Sequence, residues 1–371
     1  MRIITKTVAT LLVATILLIS TGCTQAQLNE AKEQYNPDYK IGVIKTTTAE
    51  RSSYIEYYDE DLNLVNVIWY PYAQLETNRN NVPAQRNDTL CLVPRGLIGR
   101  ESDRKVITIN LKNGEVREYP IDLVSIKDTA IDDRYIYAQN NLNNVGTVAR
   151  VDISTGETAT INIGTVPGFL LVHGENLYVH WIDLGNPGLY ASDDDTFNLS
   201  RLNKNLDILS TFCLADVGAS GVSGVSMIYD EKIYITMYFS TENGEPSPEN
   251  IYSYSLVNDT LEFVSKCEHK PSDIAVYNNE LITVNRVELI SGFIDIYDRT
   301  DGTLLNTVLL DYSPDQMIID GDNLYIQGFE CLVKYHISGS TITELKRVDI
   351  PRIGSPADTS FHYLAGMFKK G

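Results

Sequence analysis

Apolar and polar residues alternate along most of the chain, and short polar turns interrupt the alternation at a near-regular spacing. Alternation with a period of two marks strands that bury one face. Each turn is followed by an apolar or aromatic triplet. Asp132-Asp133-Arg134 precedes Tyr135-Ile136-Tyr137, and Gly174-Glu175-Asn176 precedes Leu177-Tyr178-Val179. Asp230-Glu231-Lys232, Asn278-Asn279-Glu280 and Gly321-Asp322-Asn323 stand before similar triplets, with weaker copies ahead of Leu90 and Phe361. The first apolar residues, from Leu90 to Phe361, are 37 to 56 residues apart.

A second hairpin follows within each copy, as in 106–121, 148–163 and 293–310. Asn113-Gly114, Thr155-Gly156 and Asp301-Gly302 supply the positive φ that tight hairpins require. Two hairpins make four strands in about 45 residues, the size of a β-propeller blade. Helical periodicity is nearly absent, and a β-sandwich has no such internal repeat. The chain opens with a second hairpin that lacks a first (54–70) and closes with a first hairpin that lacks a second (358–368). Together they make one more blade, so the expectation is an all-β propeller of seven four-stranded blades whose two ends share one blade.

The stretch 148–179 resembles the YVTN-type propeller repeat through Asp152, Thr155, Gly156, Gly164, Pro167 and Leu177-Tyr178-Val179. Residues 293–326 are similar through Asp298, Gly302, Pro314 and Leu324-Tyr325. That resemblance, with a broader WD40-like rhythm, implies architecture and leaves activity open.

The N-terminus departs from the repeat. Arg2 and Lys6 precede an apolar run from Thr7 to Ser20, too short for a membrane span, and Gly22 leads into Cys23. This order resembles a bacterial lipoprotein signal, although Ser20 stands where the family usually has Leu. The resemblance implies cleavage before Cys23, acylation of its sulfur, and a protein held on the extracytoplasmic face of the cell membrane. Residues 1–22 are then a signal peptide, 23–48 a lipidated cysteine with a polar tether, and 49–371 the propeller. Cys91, Cys213, Cys267 and Cys331 form no CxxC pair and sit in apolar runs, which favours free thiols over disulfides.

Composition narrows the function. The 371 residues include 49 Asp or Glu and 30 Lys or Arg, a net charge of −19. Such a chain is repelled by phosphate backbones, so nucleic acid is not an expected partner. No nucleophile elbow, Walker loop or zinc helix occurs. His173 and His180 would need a third ligand from elsewhere, Asp193-Asp194-Asp195 reads as an acidic loop tip, and no metal or cofactor is expected. Two readings remain. One is a non-catalytic binding or scaffold module for a protein, peptide or glycan. The other is a hydrolase or lyase with acids converging at the channel mouth.

Turns inside the hairpins are tight and lie on one face of the disc. The long connections (70–86, 95–104, 182–197 and 239–250) fall on the other. Loops on a rigid scaffold carry function, and aromatics and Arg favour interfaces. Tyr72, Arg95, Trp181, Tyr190, Tyr238 and Phe239 are therefore the candidate binding residues.

Overall fold

The computed structural model describes residues 25–47, 51–76, 82–95, 104–184, 196–214, 222–238, 250–288, 290–354 and 361–371. The described strands form seven antiparallel sheets, and the chain is a seven-bladed β-propeller. Blade 3 sets the pattern. Its inner strand is Ile126–Ile131, and the chain then runs outward through Tyr135–Leu142, Val145–Asp152 and Thr158–Asn162. Val166–His173, Val222–Tyr229, Pro271–Tyr277 and Pro314–Asp320 are the inner strands of blades 4 to 7. In blade 2 the inner strand is broken into Leu75–Glu76 and Ala84–Arg86, both paired with Thr89–Pro94.

Blade 1 closes the ring. Its order is Tyr363–Lys369, Ile41–Thr46, Ser53–Tyr58, Leu64–Tyr70, so both chain ends share one sheet as the repeat implied. The division differs from the expected two hairpins: the C-terminus supplies one strand and the N-terminus three. Ile41 faces Lys369 and Thr46 faces Tyr363. Strand Ile41–Thr46 lies ahead of the boundary expected at residue 49. It is buried along its whole length, so it lacks the alternation that marks a half-exposed strand.

The segment read as a tether is also ordered. Residues 25–33 form a helix. Leu28 and Ala31 on its inner face, with Tyr39 beyond it, are buried in the apolar cluster between blades 1 and 2, where Tyr35 packs as well. Tyr35 donates to the Leu111 carbonyl at 2.6 Å and meets Tyr57 edge-on at 5.6 Å.

The core is a ring. Seven clusters of buried residues each lie between two neighbouring blades: Ile136 with Val106 for blades 2 and 3, for example, and Ile326 with Ile294 for blades 6 and 7. Each fully buried Leu, Ile or Phe contributes about 1.5–3 kcal/mol. A blade therefore has two apolar faces to cover, and no arc of the ring is stable with an open end. All four cysteines from Cys91 onward are free thiols.

The turns between third and outer strands explain the residues of the YVTN-type resemblance. Asp152 Oδ1 accepts the Ser154 and Thr155 amides at 2.9 and 3.1 Å. Asp298 does the same for Thr300, Asn110 for Lys112 and Asn203 for Asn205. Hydrogen bonding from Ser154 first, then from Arg134 and the two amides, holds the Asp152 carboxyl well below its ordinary range. At Gly302 φ is +72°, and an added Cβ would come within 1.8 Å of the Val264 carbonyl of the previous blade. Asp and Gly at these positions are turn chemistry.

Candidate functional site

The inner strands surround a central channel. In blades 3 to 7 the pairing of inner with second strand slips near the end carrying the long connections. Such bulges leave backbone groups without ladder partners, and buried side chains take them. Asp128 accepts Leu170 N of the next blade at 2.7 Å and Thr129 N at 2.9 Å. Asp273 accepts Met317 N of the next blade and Ile274 N, both at 2.8 Å. Gln316 exchanges two hydrogen bonds with Met367, at 2.6 and 2.7 Å, tying blade 7 to the C-terminal strand. Gln139 donates to the Gly168 carbonyl at 3.1 Å. These residues stitch one blade to the next at one level of the channel.

A cavity of about 300 Å³ in the channel is lined by Phe169, Met227, Met317, Thr129, Asp128 and Asp273 among others. Burial pushes the Asp273 carboxyl up to about 7 against the lowering effect of its two amide donors. Both carboxylates of the lining are occupied by backbone amides, and among the described residues the lining has no His, Cys, Lys or Arg.

The tight-turn face carries a belt of charge between blades. Arg86 of blade 2 pairs with Asp133 of blade 3 at 3.0 Å. Lys204 of blade 4 reaches back to Asp132 at 3.5 Å and pairs with Glu175 at 3.0 Å. His173 of blade 4 meets Glu231 of blade 5 at 2.9 Å, and Arg299 of blade 6 reaches Asp230 at 3.6 Å. Tyr277 donates to Asp322 of blade 7 at 2.8 Å. Asp320 of blade 7 takes Lys369 at 3.5 Å and also Lys40. Burial opposes ionisation of Asp320, but the two lysines outweigh it and its pKa is lowered. The Asp320–Asn323 segment is a hairpin turn, as its position in the repeat implied.

Of the six candidate binding residues, three have described side chains, and all three are joined to the scaffold. Tyr72 is buried between blades 1 and 2, and its hydroxyl donates to Glu118 at 2.8 Å. Arg95 pairs with Glu76 at 2.9 Å and donates to the Lys127 carbonyl of blade 3 at 3.0 Å. Tyr363 of the C-terminal strand also donates to Glu76, so Glu76 gathers blades 1, 2 and 3. Trp181 donates to Ser200 Oγ at 2.9 Å, and its ring lies on Gly164, where a Cβ would come within 1.9 Å of it. Tyr190, Phe239, the Tyr238 side chain, Asp193–Asp195 and Cys23 lie outside the described residues.

One cluster on the long-connection side was not legible in the sequence. His269, in the link from blade 5 to blade 6, places Nδ1 at 2.9 Å from Asp295 Oδ2 and stacks on Phe293 at 3.9 Å. Asp295 is fully buried and also accepts Asn285 at 3.0 Å and Thr307 at 2.8 Å. The His269 side chain is 27% exposed. Nearby, Arg286 pairs with Asp315 of blade 7. A buried carboxylate that orients an accessible imidazole can set up general-base chemistry. Four separated segments contribute, and only the pairing of Thr283 with Asp295 and Asp295 with Thr307 brings them together. His173 and His180 do not converge: His173 sits in the charge belt, and His180 is buried against Phe169 at 5.2 Å. No group of three metal-ligating side chains occurs among the described residues.

No protein-family model matches the chain, and no curated protein does. Solved structures match its fold. A putative 6-phosphogluconolactonase from Bacteroides fragilis superposes with a TM-score of 0.60 at 11% identity, over 90% of this chain and 99% of that one. A putative 6-phosphogluconolactonase from Bacteroides uniformis gives 0.58 at 11% identity, over 89% and 99%. Apo AztD from Citrobacter koseri gives 0.53 at 9% identity, over 84% and 95%. Likeness at this identity establishes the propeller fold alone.

Proposed function

We propose that this chain is a bacterial lipoprotein, anchored through Cys23 on the extracytoplasmic side of the cell membrane, whose propeller binds a protein, peptide or glycan partner without chemical turnover. The observation that carries the reading is the commitment of polar groups. Asp128 and Asp273 of the channel are taken by backbone amides, and Arg86, Lys204, His173, Arg299 and Lys369 of the tight-turn face pair with carboxylates of neighbouring blades. The irregular chain length collects on the opposite face, where Tyr190, Tyr238 and Phe239 lie in sequence. A net charge of −19 argues against nucleic acid as the partner. Crosslinking of intact cells tests this. A defined adduct is expected with the native chain and a much weaker one with Tyr190→Ala, Tyr238→Ala and Phe239→Ala combined. An adduct of equal yield would contradict the reading. Cys23→Ala is expected to move the protein to the soluble fraction or the medium, and retention on the membrane would contradict the anchor.

The enzyme reading is favoured by one observation, the His269–Asp295 pair with Arg286 and Asp315 beside it. A screen of ester, lactone and uronate substrates, native chain against His269→Ala, decides it. Turnover that is lost with His269→Ala would replace the binding module with a hydrolase or lyase.

A further inference from the structure

We infer that the disc stands edge-on to the bilayer, with the groove between blades 1 and 2 turned toward the lipid and both faces open to partners. The inference rests on lipid attachment at Cys23. Given that attachment, geometry fixes the rest. The helix over residues 25–33 is docked into the apolar cluster between blades 1 and 2 through Leu28 and Ala31, and Tyr35 and Tyr39 fasten the chain that follows it. Tyr35 is held by the Leu111 carbonyl of blade 2. The Gln34 carbonyl accepts Asn66 of the outer strand of blade 1 at 2.5 Å. Only Thr24 separates Cys23 from residue 25. Two Cα steps of 3.8 Å span at most about 8 Å, so acyl chains on Cys23 would bring this rim to the headgroups with no slack to reorient.

One further observation agrees. Leu64 and Val67, on either side of Asn66, are 55% and 40% exposed, so the rim beside the docked helix presents apolar side chains. With seven blades, blade 5 is opposite the groove, and its exposed Phe263 points away from the membrane side.

The test uses the full acylated chain in vesicles of phosphatidylcholine and phosphatidylglycerol, with and without brominated acyl chains. Val67→Trp and Phe263→Trp are compared, the two native tryptophans being common to both. Bromine is expected to quench the added emission several-fold more in Val67→Trp than in Phe263→Trp. Adding Leu28→Asp and Ala31→Asp, which undocks the helix, should bring the two to equal values. Equal quenching in the docked chain, or stronger quenching at position 263, overturns the edge-on placement. Mass spectrometry of the same sample separates the two claims. An unacylated Cys23 defeats the anchor and the orientation together, whereas an acylated Cys23 with equal quenching defeats the orientation alone.

Discussion

The two faces of the disc are built from the same strands and differ in how their polar groups are used. On the tight-turn face, turns repeat from blade to blade, and Arg86, Lys204, His173, Arg299 and Lys369 each pair with a carboxylate of an adjacent blade. Among the described residues, the side-chain contacts on the long-connection side differ from blade to blade. Blade 2 has Arg95 on Glu76, blade 6 has His269 on buried Asp295, and blade 7 has Arg352 held by Glu330 and stacked on Phe329 at 3.7 Å. Repetition is what packing alone would maintain, since every blade presents the same interface. Each of these departures is itself a contact within the chain, so on this side the blades are secured individually.

The largest effect is expected at ring closure. Deleting the chain from Ser355 onward removes the inner strand of blade 1, and with it Ala365, Met367 and Phe368 from two inter-blade clusters. Soluble expression or cooperative unfolding should be lost, as read by calorimetry. A truncated chain that melts like the native one would show that the two faces do not depend on a closed ring.

Inter-blade stitching ranks next. Asp273→Ala leaves the Met317 and Ile274 amides without their acceptor, at about 1–3 kcal/mol for each buried group left unpaired. Chemical denaturation should show the loss, and a change below about 0.5 kcal/mol would mean that the bulge amides find other partners. The same carboxylate gives a pH signature. Its pKa rises from 3.8 to about 7 on folding. The protonated group therefore favours the folded state fully below pH 3.8, and that contribution is lost as pH rises through about 7. Subtracting the stability curve of Asp273→Asn should isolate this slope, whereas parallel curves would place the proton elsewhere.

The smallest effect is expected on the tight-turn face. Arg86→Ala breaks an exposed pair with Asp133, and such pairs contribute about 0–1 kcal/mol. Moderate salt should erase most of the difference. A loss as large as that of Asp273→Ala would make the belt a main source of stability.

How much of this was legible in the sequence follows from what repeats. Seven blades and a shared closure blade could be read because turn residues and alternation recur. The strand Ile41–Thr46 and the docked helix were missed for opposite reasons. The strand is buried on both faces and shows no alternation, and the helix has only Leu28 and Ala31 on its buried side within a polar run. Asp152 and Asp298 stood out in the pattern and serve their own turns. The contacts His269 with Asp295 and Asp273 with Met317 join different strands or blades, where no local spacing records the pairing. Tyr72, Arg95 and Trp181 were chosen as aromatic or basic residues at strand ends. Their residue types fit a packed strand end as readily as an interface, and only tertiary contacts separate the two.

The division of labour between the faces is tested most directly by measuring partner crosslinking and melting temperature together in two sets of variants. One set combines Tyr190→Ala, Tyr238→Ala and Phe239→Ala, and the other combines Arg86→Ala, Lys204→Ala and Arg299→Ala. The account predicts that the first set loses most of the crosslinked adduct at an unchanged melting temperature, while the second keeps the adduct and melts slightly lower. An adduct that survives the first set and disappears with the second would contradict it and move the working surface to the tight-turn face.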